Sequence, residues 1–212
     1  MSERPALYDY WRSSAAYRVR IALNLKGLEY DSRPVDILAG QHRQVDYLTL
    51  NPQGIVPTLQ IDDLTLQQSL AIIEYLDETR PEPALLPADA AGRARVRAIA
   101  YAIAMEIHPV CNTRVANHVT ELGGSETVRT VWMQHYIGRG LTAVEELLDH
   151  PATGRFCHGD APSLADLCLV PQLYNAQRWE LEVTQWPTIA RIGEACAGLP
   201  AFDAAHPERH QP

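Results

Sequence analysis

Two adjacent serines, Ser13 and Ser14, stand between an aromatic run at Tyr8–Trp11 and a mixed apolar and basic run from Tyr17. A serine hydroxyl at the start of a helix accepts from a backbone N–H that the first turn leaves free. The same turn is the positive end of the helix dipole, so a thiolate or carboxylate placed there is stabilised. A strand, a hydroxyl pair and a helix in that order suit a plain helix cap or a holder for an anion. The residue types alone do not choose between them. Tyr17–Leu25 also has two readings. Apolar residues alternate with Arg18, Arg20 and Asn24 at the period of a strand, whereas Gly27 as a helix stop, with a next strand at Tyr30–Val35, favours a helix.

Composition narrows the chemistry. A net charge of −8 gives nucleic-acid binding no electrostatic support. No run approaches membrane-spanning length and the first residues lack the apolar core of a signal peptide, so a soluble, cytoplasmic protein is expected. Cys111, Cys157, Cys168 and Cys196 are scattered, without C-x-x-C or clustered histidines. Reduced thiols are expected rather than disulfides, and no metal site. Cys168 lies in an apolar run and reads as core.

The elements that must position the serines follow from periodicity and punctuation. Leu7–Trp11, a helix from Ser14 and Tyr30–Val35 give a βαβ order, with a polar stretch after it from Gly40 to Leu50. Thr58–Ile61 and Leu64–Leu66, separated by Asp62-Asp63, read as a tight hairpin. A helix over Gln68–Glu78 places Ile72, Ile73 and Leu76 on one side. This order, βαβ then ββα, is that of a thioredoxin-like domain. Pro81, Pro83 and Pro87 end the pattern, and everything beyond reads as helical. Val96, Ile99, Ile103 and Ile107 share one face, as do Ile137, Leu141, Val144 and Leu148. Ser163-Leu164-Ala165-Asp166 is a capping-box pattern, and the tail from Pro207 reads as polar and loose.

Along nearly its whole length the chain resembles the zeta class of glutathione transferases. The class signature Ser-Ser-Cys-x-x-Arg-Val-Arg-Ile-Ala-Leu stands here as Ser13-Ser14-Ala15-Ala16-Tyr17-Arg18-Val19-Arg20-Ile21-Ala22-Leu23. Further matches are Asn51-Pro52-Gln53-Gly54-Ile55-Val56-Pro57-Thr58-Leu59, Gln68–Leu76 and Ala165–Gln172. The resemblance implies an α/β plus all-α glutathione transferase fold: a thioredoxin-like domain over 1–82 and an all-helical domain over 88–212. It implies glutathione as cofactor, a homodimer, and a small dicarboxylate substrate. The implied activity is cis–trans isomerisation of maleylacetoacetate to fumarylacetoacetate. Maleylpyruvate isomerisation, general transfer or dehalogenation of α-halo acids, and a non-catalytic binding role are the alternatives.

The same resemblance implies roles residue by residue. Ser14 would hold the glutathione sulfur as thiolate, with Ser13 a supporting donor and Arg12 beside them. Ala15 replaces the class cysteine, so no thiol at that position can be needed. Pro57 would be cis, turning the backbone of Val56 toward the tripeptide. Gln68 and Ser69 would take the γ-glutamyl carboxylate, and Gln41 or His42 the glycyl end. His108, Asn112 and Arg114 would face the pocket from the helical half; His108 and Arg114 lean toward the maleylpyruvate enzymes. Arg12, Arg114 and Arg178 match substrate-lining arginines, whose planar forks bind carboxylates through paired hydrogen bonds. Arg18 and Arg20 match the motif, with a structural or solvent-facing role expected.

Overall fold

The computed structural model describes residues 4–212, and its contacts divide the chain into two units. The first holds the described residues up to Ala84 together with Leu199–Pro212; the second is Leu85–Gly198. In the first, β1 (Ala6–Asp9), α1 (Ser14–Leu25) and β2 (Asp31–Pro34) form a βαβ unit with β1 and β2 parallel. A short α2 (Val45–Leu50) precedes β3 (Thr58–Ile61), β4 (Leu64–Gln67) and α3 (Ser69–Thr79). The sheet order is β2-β1-β3-β4, with β3 antiparallel to both neighbours. Apart from α2, which falls in the stretch read only as polar, this is the expected order of elements.

Local chemistry accounts for the turns. The hairpin loop residues Asp62 and Asp63 have φ of 52° and 60°. A type I′ turn requires positive φ at both positions, and Asp tolerates it better than most residues. The ambiguous stretch after Tyr17 is helix, because parallel β1 and β2 need a crossover and not a tight turn. Its apparent alternation does not mark an exposed face: Tyr17 through Leu23 are all buried, arginines included. α1 packs on α3, with Val19, Ile21, Leu23, Ile72, Ile73 and Leu76 in the core.

The second unit is helical. α4 (Ala90–Tyr101) passes into a π-helical segment, Ala102–Ile107, and a last turn α5 (His108–Val110). α6 (Thr113–Gly123), α7 (Glu126–Leu148), α8 (Leu164–Arg178) and α9 (Pro187–Ala197) follow. Both expected apolar stripes are buried. A Cβ on Gly140 would overlap the Ile107 side chain, so glycine lets α7 approach the π segment closely. The capping box at Ser163 is present. The Asp166 carboxylate accepts from the backbone N–H groups of Ser163 and Cys157 and from the Ser163 hydroxyl, each at 2.8 Å. Burial nonetheless raises its pKa above the ordinary value. All four cysteines are free and buried. Among the described residues no helix is long and apolar enough to cross a membrane, and no cluster of His, Cys, Asp and Glu is placed to hold a metal.

Two expectations need correction. The chain beyond Gly198 does not stay with the helical half: α10 (Pro200–Ala204) packs on α1. Nor is the tail loose: Pro207 is buried in a 3-10 turn, Pro207–His210, and Arg209 pairs with Asp203 at 2.6 Å. The physical cause is Arg20. It is 0 % exposed, with its Nε donating to the Ala205 carbonyl at 3.0 Å, Nη1 to Asp9 Oδ2 at 2.5 Å and Nη2 to the Trp11 carbonyl at 2.9 Å. Asn24 adds a bond to the Ala201 carbonyl at 3.0 Å. Arg18 is 2 % exposed, so neither arginine faces solvent.

Removing one partner from a buried ion pair leaves the other charge uncompensated, at a cost of roughly 3–5 kcal/mol. Asp9→Asn should therefore lower stability by about that amount, measured as a fall in the urea midpoint with the slope unchanged. A loss under about 1 kcal/mol would show that the two carbonyls alone satisfy Arg20.

Candidate active site

Strand register gathers the candidate residues of the first unit. Tyr8 in β1 pairs with Thr58 in β3, and Thr58 with Gln67 in β4. β1 therefore leaves the sheet at the end where β3 enters and β4 leaves. Trp11–Ser14, Ile55–Pro57 and Gln68–Ser69 all emerge there. β2, parallel to β1, leaves at the same end toward the turn that carries His42, and the Val35 N–H donates to the Asp9 carbonyl at 2.7 Å.

The two serines divide their labour. Ser13 is the N-cap of α1, in extended backbone, and its Oγ accepts from the Ala16 N–H at 3.2 Å. Ser14 is the first helical residue, and its hydroxyl is not used by the cap. Arg12 is held by its aromatic neighbours: its guanidinium lies 4.6 Å from the Trp11 ring centroid and donates to the Tyr10 hydroxyl at 3.4 Å. Arg20 holds the Trp11 carbonyl just upstream. Ala15 puts no thiol beside these groups.

The Val56–Pro57 bond is cis. The residue before it is pinned, because the Ile55 carbonyl accepts from the Tyr47 hydroxyl at 2.7 Å and from Asn51 Nδ2 at 2.8 Å. Gly54 has φ of 59°, and a Cβ there would lie 3.1 Å from the His42 carbonyl. The loop thus closes on the His42 turn only with glycine. Burial, with the Arg43 charge adding, holds the His42 ring below the usual histidine pKa, so it is neutral at pH 7.

Gln68 is the N-cap of α3 with φ 68° and ψ 114°, a backbone conformation that non-glycine residues seldom adopt. Its Nε2 donates to Gln53 Oε1 at 2.7 Å. Ser69, the first residue of α3, is buried, and its Oγ accepts from Arg18 Nη1 at 3.3 Å. Arg18, Gln53 and Tyr47 were not among the expected site residues. A buried arginine could have been suspected from a basic residue inside an otherwise apolar helix, whereas Gln53 and Tyr47 needed the fold.

The remaining candidates belong to the second unit. His108 opens α5, and Pro109 lies in its first turn, where a missing N–H is tolerated; α5 ends at Val110. Asn112 is the N-cap of α6, its Oδ1 accepting from the Arg114 N–H at 3.1 Å, so its amide oxygen is committed to the helix. Arg114 is exposed in the first turn of α6, and Arg178 is exposed at the C-terminal end of α8.

Residues 5–78 match the model of the glutathione S-transferase N-terminal domain. A maleylacetoacetate isomerase from Rhizobium meliloti is 58% identical over 100% of both chains. The holo structure of a maleylpyruvate isomerase, described as a bacterial glutathione S-transferase in zeta class, is 43% identical. It superposes with a TM-score of 0.94 over 98% of each chain. A maleylacetoacetate isomerase structure from Methylobacterium extorquens AM1, with bound malonate and GSH, is 41% identical, with a TM-score of 0.94 over 98% of each chain.

A side chain held at positive φ costs of order 1–3 kcal/mol, and glycine relieves it. Gln68→Gly should be more stable than Gln68→Ala by about 1–2 kcal/mol in thermal denaturation. Equal melting temperatures would show that the observed backbone is relaxed.

Proposed function

The chain belongs to the zeta class of glutathione transferases, the maleylacetoacetate isomerase family, and on that footing we propose how its residues isomerise maleylacetoacetate to fumarylacetoacetate with glutathione. The observation that carries the reading is the division between the serines. Ser13 spends its hydroxyl on the cap, which leaves the Ser14 hydroxyl and the helix dipole to an anion. When bound, glutathione supplies a thiol that adds to the conjugated cis double bond, lets it rotate and departs. Ser14 donates to the sulfur and lowers its pKa, so that more of it is thiolate at neutral pH. Gln68 and Ser69, at the N-terminus of a second helix on the same sheet end, bind the γ-glutamyl carboxylate, and the Val56 backbone pairs with the tripeptide. The neutral His42 takes the glycyl end.

Arg12 and Arg114 hold the substrate carboxylates, with Arg178 as a further contact. Charged donors placed in advance also favour the enolate charge that develops in the transition state. From the helical half, the family resemblance adds His108 and Asn112 as ligand contacts. The second reading, maleylpyruvate as substrate, is favoured by His108 and Arg114. We also propose that the enzyme works in the cytoplasm as a homodimer, for which light scattering should give twice the 23.6 kDa chain mass.

Ser14→Ala should raise the thiol pKa of bound glutathione and cut isomerase turnover by at least tenfold, with little loss of stability because Ser13 still caps α1. An unchanged thiol titration with full activity would remove Ser14 from the mechanism. Arg12→Met and Arg114→Met should each lose at least tenfold in kcat/KM on the dicarboxylate, a two-pronged charged contact being worth roughly 1.5–3 kcal/mol. Conjugation of neutral chlorodinitrobenzene should barely change. Equal losses on both substrates would place these arginines outside the carboxylate pocket. A loss at Arg114 greater for maleylpyruvate than for maleylacetoacetate would favour the second reading.

A further inference from the structure

Arg18 sits in the buried stretch of α1, yet its Nη1 reaches across to the hydroxyl of Ser69 at the start of α3, 3.3 Å away. A guanidinium has only donors, and a serine hydroxyl has one donor and two acceptor sites. Contact with Arg18 therefore fills an acceptor site on Ser69 Oγ and directs its hydrogen elsewhere. The hydroxyl is left to act as a donor, and the adjacent positive charge polarises it further. Ser69 is the first residue of its helix, where the backbone N–H groups also donate outward. A group meeting only donors at that point must itself be an acceptor, and a carboxylate satisfies more of them than an amide, whose NH2 would face another donor.

We propose that Arg18 is a positioning residue of the glutathione site: by donating to Ser69 Oγ it fixes that hydroxyl as a donor and sets the subsite's preference for the γ-glutamyl carboxylate over a neutral group. This rests on the glutathione reading above and assigns to a residue outside the contact set the selectivity of one end of the ligand. Arg20, two residues on, has a different task. Its charge is met by Asp9 and its remaining donors by backbone carbonyls, so it acts on the chain path and not on Ser69.

The test compares binding of glutathione and of its analogue amidated at the γ-glutamyl α-carboxylate, by calorimetric titration of the full chain. The wild type should prefer glutathione by at least tenfold, since a hydrogen bond to a charged group is worth about that factor or more. Arg18→Met should reduce glutathione affinity about tenfold while hardly altering affinity for the amide, so that the preference collapses. Arg18→Lys, which still only donates, should keep most of it. The thiol pKa of bound glutathione should stay at the wild-type value in both variants, because Ser14 is untouched. Ser69→Ala, which removes the hydroxyl through which Arg18 acts and leaves only the backbone donors, should cut the preference by about tenfold whether or not Arg18→Met folds. Retention of the preference in Ser69→Ala, or equal losses for both ligands in a folded Arg18→Met, would overturn the proposal. Wild-type protein that binds neither ligand would overturn the glutathione reading itself, and the proposal with it.

Discussion

A buried guanidinium is costly unless its donors are met, and the first unit is arranged around meeting those of Arg20. Its partners are Asp9 at the end of β1, the Trp11 carbonyl in the loop that follows and, 185 residues further on than Arg20, the carbonyl of Ala205 at the C-cap of α10. The charge that is hardest to bury thereby fixes the exit of β1 and recruits residues 199–212. The Trp11 carbonyl it holds lies one residue before Arg12-Ser13-Ser14, so the start of the proposed thiolate site inherits its position from this contact. The same surroundings partly bury Tyr30, whose phenol is pushed up to about 12, chiefly by desolvation.

Given a fixed β1 exit, the antiparallel register does the rest. Tyr8, Thr58 and Gln67 form one row across three strands, and each strand turns into or out of a loop beside that row. Two helix N-termini and one loop are presented at a single sheet end, which suits a ligand with a thiolate and a carboxylate. The fit depends on local restraint as well. The Ile55 carbonyl holds two donors, Gly54 admits the His42 turn, and Gln68 keeps a strained backbone beside Ser69. Strain of this kind persists only where neighbours over-determine it, and here Gln53 and α3 supply the determination.

In the second unit the π segment has an identifiable cause. Pro109 lacks an N–H, and its ring collides with the carbonyl four residues back in a regular α-helix. That residue is Met105, inside Ala102–Ile107, where the wider turn makes room. The helix keeps its apolar stripe through the irregularity, with Ile99, Ile103 and Ile107 all buried.

The sequence by itself determined the order of elements, because hydrophobic period, glycine stops and prolines act over a few residues: β3, the start of α1 and the capping box at Ser163 were legible in this way. Motif resemblance also named Ser13, Ser14, Val56, Gln68 and Ser69 as a set. Tertiary structure decided what each of these does locally. Whether Ser13 or Ser14 caps α1 depends on where the backbone turns, and the alternation at Arg18 and Arg20 cannot say whether an arginine faces water or a buried acceptor. Arg18 meets Ser69 fifty-one positions away and Arg20 meets Ala205 at a separation of 185. The assignment of residues 199–212 to the first unit has the same origin. Contacts between residues so distant in sequence leave no local period, so only the folded chain reveals them.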